Sequence, residues 1–185
     1  MIHVRSRIFL LFVAALIGTT AANAQPGNQS KRFESAEDKF SIAFPSTPER
    51  RIDEAEAWFG KGAIITYLCR GDEVIYRLSF VDLPQTIVDE KEMTRRLDVL
   101  QGGERLQWGL NDIKETRGKF KGYDGREMIS EGSVVTMSSR SIFVGKRFVY
   151  LSAFIKGTSK TIDPKVWPSK LALIQDYFNS FEPAK

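Results

Sequence analysis

The 185-residue sequence has one histidine and one cysteine. His3 falls within residues 1–24, which read as an export signal, so a mature chain starting at Gln25 contains no histidine. That excludes Ser–His and Cys–His hydrolases, His-ligated metals, haem held by histidine, and multi-Cys zinc or iron–sulfur sites. It also removes the side chain that most often titrates near neutral pH. Neither a metal nor a cofactor is expected. The longest apolar run, Ile8 to Ile17, is about half the ~20 residues that a membrane-spanning helix needs. No internal repeat or low-complexity segment is present. A large charge of one sign is missing too: the mature chain carries 25 basic and 23 acidic side chains, net +2.

What is present begins with an address. His3, Arg5 and Arg7 precede the apolar run IFLLFVAALI, and Ala22-Asn23-Ala24 supplies small residues where a signal peptidase needs them. No cysteine sits at the cleavage point, so lipid attachment at a new N-terminal cysteine is not expected. The chain is expected to be exported, to a periplasm or outside the cell. Residues 25–36, opening QPGNQSK, read as a flexible leader, and residues 37–183 as a single α+β domain, large enough to bury one core.

Within that domain the hydrophobic period alternates between two and 3.6. Phe40, Ile42 and Phe44 mark a strand stopped by Pro45; Arg51 to Phe59 is a charge-interrupted edge candidate. Ile64–Arg70 and Val74–Phe80 flank Gly71-Asp72 and predict a hairpin. Met93, Leu97 and Leu100 predict a helix of about 12 residues ending near Gly102-Gly103. Ile113–Lys121 is a basic strand. Arg126–Glu131, Val134–Val144 and Arg147–Ile155 are strands joined by Gly-containing turns, and the last is apolar on both sides, as a central strand would be. Asp163-Pro164 reads as the start of a second helix bearing Leu171, Ile174, Phe178 and Phe181. The pattern predicts a central antiparallel sheet flanked by helices, an α+β sandwich.

Chemistry without histidine would need carboxylates, a Ser–Lys pair or a thiol. Asp38, Asp82, Asp112, Asp124 and Glu127 sit mostly beside Gly or Lys, where turn duty outweighs catalysis. Ser133, Ser138, Ser139 and Ser141 stand in no S-x-x-K context. Cys69, inside the run Ala63–Cys69, reads as an inert buried thiol. No catalytic set is assigned. Lys114, Arg117, Lys119 and Lys121 form the one local basic excess, joined in sequence by Arg126 and Arg140. As a surface for an anionic partner they would create a local potential; the plainer reading is lysines guarding a sheet edge. No specific nucleic-acid contact is expected, because the stretch lacks interleaved aromatics.

Several blocks resemble a family pattern: Asp38-Lys39-Phe40-Ser41-Ile42-Ala43-Phe44-Pro45, then Gly125-Arg126-Glu127, Arg140-Ser141-Ile142-Phe143-Val144, Arg147–Leu151 and Phe178-Asn179-Ser180-Phe181. Together they are similar to the PsbP-like (Mog-type) α/β sandwich and to exported bacterial proteins of unknown function. The resemblance implies an antiparallel sheet flanked by helices and a role in binding or assembly. It implies no catalytic residues. The expected function is a non-enzymatic binding or accessory domain whose partner is a protein or an anionic envelope component. The alternatives are a carrier of an apolar ligand and a hydrolase using carboxylates or a Ser–Lys pair.

Overall fold

The computed structural model describes residues 31–57, 60–84 and 89–184. The signal segment, the start of the leader, and Trp58 and Phe59 of the edge candidate lie outside the described residues. Two antiparallel sheets form. The larger has the order β3 (Glu49–Ala57), β4 (Gly60–Arg70), β5 (Val74–Asp82), β9 (Arg147–Lys156), β8 (Val135–Val144), β7 (Tyr123–Glu131), β6 (Asn111–Phe120). The smaller is β1 (Lys31–Ser35), β2 (Phe40–Phe44) and β10 (Glu182–Pro183). Among the described residues two helices accompany the sheets, α1 (Glu90–Trp108) and α2 (Trp167–Ser180).

The hairpin β4–β5 and the run β7–β8–β9 follow the alternation seen in sequence, and β9 occupies the middle of the large sheet. On one face Tyr67, Leu78, Phe80, Leu151 and Ile155 pack against Phe40, Ile42 and Phe44 of β2 and Ile174, Tyr177 and Phe178 of α2. On the other face Val81, Phe143 and Phe148 pack with Leu83 and with Leu97 of α1. The expected single sheet flanked by helices is therefore corrected to two sheets. The one-sided pattern of β2 belongs to the second sheet, which shares its face of the core with α2.

Three further expectations shift. Lys31–Ser35, assigned to the flexible leader, is strand β1, paired with β2 from Lys31↔Phe44 to Ser35↔Phe40. Its alternation was too short and polar to register. Helix α1 does not stop at Gly102-Gly103 but runs to Trp108, whose ring lies 5.6 Å from that of Phe154. Each helical glycine costs about 1 kcal/mol, and the true stop is Gly109 at φ 60, whose N–H reaches the Arg105 and Leu106 carbonyls. Asp163-Pro164 opens only a preceding turn; α2 begins at Trp167 with Pro168 in its first turn. One glycine of the resembling blocks is required outright: a Cβ on Gly125 would collide with the Ser141 carbonyl oxygen.

Candidate functional site

Strand β6 is an edge of the large sheet and is exposed from Asn111 to Lys119, with a bulge between Asp112 and Lys114. Three of the four cations of the stretch 114–121 are matched locally. Arg117 bonds Glu115, Lys119 Nζ lies 2.7 Å from Asp124 Oδ1, and Lys121 Nζ lies 3.6 Å from Glu182 Oε1. Bulge, charge and local pairing are the devices that keep an edge strand from recruiting another.

Arg126 and Arg140 do not join that surface. Both are buried, and they project from opposite faces, because Arg126 is opposite Ser141 while Arg140 is opposite Glu127. Arg140 donates from Nε to Glu127 Oε1 (2.6 Å) and from Nη2 to Gln175 and Asn179 of α2. Its guanidinium also lies 4.8 Å from the Phe120 ring centre and 5.2 Å from that of Phe178. It pins α2 to the sheet.

The carboxylates weighed as catalytic candidates are engaged as well. Asp82 pairs with Arg147, Asp112 with Arg105, Asp124 with Lys119 and Glu127 with Arg140. Turn duty understates them: they join strands and helices. Asp38 is buried and accepts from Arg50 Nε (2.8 Å) and from the Tyr67 hydroxyl. Burial alone would raise its pKa. The hydrogen bonds from Arg50 and Tyr67 and the charges of Arg50 and Arg147 outweigh that and hold it below the usual carboxylate range. Burial, with the bond to Asp38, pushes the Tyr67 phenol up.

The polar concentration that sequence reading missed lies between α1 and the large sheet. Strand register lines up Arg117, Arg126, Ser141, Tyr150, Ser79 and Thr66 in one row across the sheet. The next row holds Glu115, Met128, Ser139, Ser152 and Arg77. Apolar rows flank this band: Phe143 and Phe148 toward Leu97, Met137 and Phe154 toward Trp108. Ser139, Ser141 and Ser152 are fully buried. Some of the band is satisfied internally. Thr66 Oγ1 meets Ser79 Oγ at 2.9 Å, and Arg77 Nε donates to Ser152 Oγ at 3.0 Å. Arg126 Nη1 donates to Asp98 Oδ1 of α1 at 2.5 Å.

Among the described residues three buried polar atoms in the band have no partner: Arg126 Nε, Arg126 Nη2 and Ser139 Oγ. Leaving such a group unmatched costs about 1–3 kcal/mol each. Among the described residues no group of three or more His, Cys, Asp or Glu side chains is placed to hold a metal ion.

Cys69 is 1% exposed, facing α2 and the small sheet, with Sγ 3.1 Å from Ser46 Oγ. A thiol reagent is expected to label the folded protein at least tenfold more slowly than protein in denaturant. Equal rates, followed by mass spectrometry, would contradict that burial.

No protein-family model and no curated sequence matches the chain. Among solved structures it is similar to cyanobacterial PsbP (CyanoP) from Synechocystis sp. PCC 6803, whose structure was determined in solution. The TM-score is 0.55 at 9% identity, over 90% of this chain and 99% of that one. The fold is PsbP-like. At that identity the likeness carries the fold and no residue roles.

Proposed function

We propose that this PsbP-like chain is an exported, non-enzymatic binding module that holds a polar ligand in the layer between α1 and the seven-stranded sheet. One observation carries the reading: buried serine hydroxyls and the buried Arg126 guanidinium are gathered in one band, and three of their polar atoms have no partner among the described residues. A stable fold seldom buries such groups without something to satisfy them.

The alternatives fit less well. A hydrolase needs a base beside its serine. Ser152 is hydrogen-bonded to Arg77, and Ser141 lies opposite Arg126; a guanidinium stays protonated and accepts nothing. A carrier of apolar ligands needs an apolar chamber. On the opposite face the Phe40 ring centre lies 5.0 Å from that of Tyr67 and 5.9 Å from that of Phe80, and the small hollow beside Phe120 and Phe178 is also lined by Lys121 and Arg140. Export is supported by the basic, apolar and Ala-x-Ala order of residues 1–24.

Purified mature protein is expected to show no turnover of generic ester, glycoside or peptide substrates, and exported material to begin at Gln25. Turnover abolished by Ser139→Ala or Ser141→Ala would overturn the non-enzymatic reading. Membrane-retained protein with Met1 intact would overturn export.

A further inference from the structure

We propose that the Nε/Nη2 edge of Arg126 is a binding site for a small oxyanion, a carboxylate or a phosphate, held beneath α1. This rests on the reading of the α1 layer as a ligand site and names what it takes.

A guanidinium offers its donors in a rigid planar fork. In Arg126 one end is used: Nη1 donates to Asp98 Oδ1 and lies 3.8 Å from Glu115 Oε1. The unmatched atoms are Nε and Nη2. Those two N–H bonds run parallel along one edge, the geometry that accepts a carboxylate or phosphate with two oxygens at once. The side chain is 3% exposed, so bulk water does not serve that edge. Asp98, by contrast, is 56% exposed, so the charge on the occupied end is partly solvated. A second anion on the buried edge is repelled by Asp98 and Glu115, so it must gain more from the two N–H groups than that repulsion costs.

A third donor stands beside it. Ser139 lies in β8, across from Met128 and one row from Ser141, which is opposite Arg126. Its hydroxyl is buried and unmatched on the same face of the sheet. Cross-strand diagonal neighbours stand ~7–8 Å apart. The register thus makes Arg126 and Ser139 diagonal neighbours on one face, where a single small ligand would meet both side chains.

Helix α1 is the cover. Gly102 and Gly103 lie in its interior, each weakening the helix relative to alanine. It is held over the band by Leu97 at one apolar row, Trp108 at the other, and the Asp98–Arg126 and Arg105–Asp112 ion pairs.

The test uses the mature chain, residues 25–185, in thermal unfolding at pH 7 against inorganic phosphate, acetate and chloride at matched ionic strength. A saturable rise with phosphate or acetate is expected, roughly 5–10 °C at a hundredfold excess over Kd. Chloride should give no saturable response. Which oxyanion acts tells whether the site takes phosphate or carboxylate. Arg126→Met is expected to abolish the response. Should that variant not fold, Ser139→Ala decides, since it leaves the Asp98–Arg126 pair in place and should weaken apparent affinity about tenfold. Equal responses to all three salts, or an oxyanion response unchanged in Ser139→Ala, would overturn the site. Those results leave the binding-module reading standing, because that reading requires a polar ligand in the α1 layer but not an oxyanion on Arg126.

Discussion

Replacing Arg140 by alanine is expected to lower stability by about 3–5 kcal/mol. The side chain is 6% exposed and its partner Glu127 is 19% exposed, so neither charge can be handed back to water in place. Truncation leaves the Glu127 carboxylate unpaired, frees Gln175 and Asn179 on α2, and empties the space between the Phe120 and Phe178 rings. Arg140→Lys keeps a charge but not a planar group that reaches three acceptors and stacks between two rings; it should fall between alanine and wild type. Arg140→Met combined with Glu127→Gln removes both charges while filling the space, and should cost less than Arg140→Ala alone. Urea unfolding measures this as a fall in midpoint at constant slope. A loss under 1 kcal/mol for Arg140→Ala would mean that α2 is held by its apolar face alone.

Asp38→Asn is the second large effect, and it is tied to pH. At pH 7 the substitution should cost about 3 kcal/mol, since it removes charge-assisted bonds from Arg50 and Tyr67 to a buried acceptor. Those bonds, with the charge of Arg147, overcome burial and depress the folded-state pKa of Asp38 below its unfolded value. The contribution is therefore complete above the unfolded pKa, about 4. It fades as pH falls through the lower folded value. The gap between wild type and Asp38→Asn should be constant from pH 5 to 7 and should close toward pH 2. A gap that persists unchanged in acid would mean that the charge of Asp38 contributes nothing and only its shape matters.

How far the fold could be read from sequence depended on how local each signal was. Alternation within a strand is local, so Phe40/Ile42/Phe44 and the two-sided Phe148–Ile155 run were found, and Gly71-Asp72 marked a real hairpin. The end of α1 was misplaced because Gly102-Gly103 resembles a stop, while the packing of Trp108 on Phe154, which rewards continuing, is a contact across more than 40 residues. Strand β1 was missed because KRFES is exposed along most of its length and gains its place only by pairing with β2.

The candidate site was harder. Arg126 and Arg140 stood out as charges inside apolar runs, yet their opposite faces follow from the register of β7 on β8, which no single strand reveals. Ser79, Ser139, Ser141 and Ser152 each look like ordinary strand serines. Only β5, β9 and β8 lying side by side puts them on one face under α1. The available hint was that all occupy the parity of Phe143 and Phe148 rather than that of Val149 and Leu151. The basic edge is a different case: Lys114, Arg117, Lys119 and Lys121 are close in sequence, and in three dimensions Glu115, Asp124 and Glu182 stand beside Arg117, Lys119 and Lys121.

The central claim is that Arg126 and Ser139 hold a small oxyanion beneath α1. A high-resolution crystal structure of the mature chain, grown with phosphate and acetate present, tests it most directly. The account predicts electron density for an oxyanion bridging Arg126 Nε and Nη2 to Ser139 Oγ, with α1 closed over it. Density for water alone at that edge, in crystals holding both anions, would contradict it.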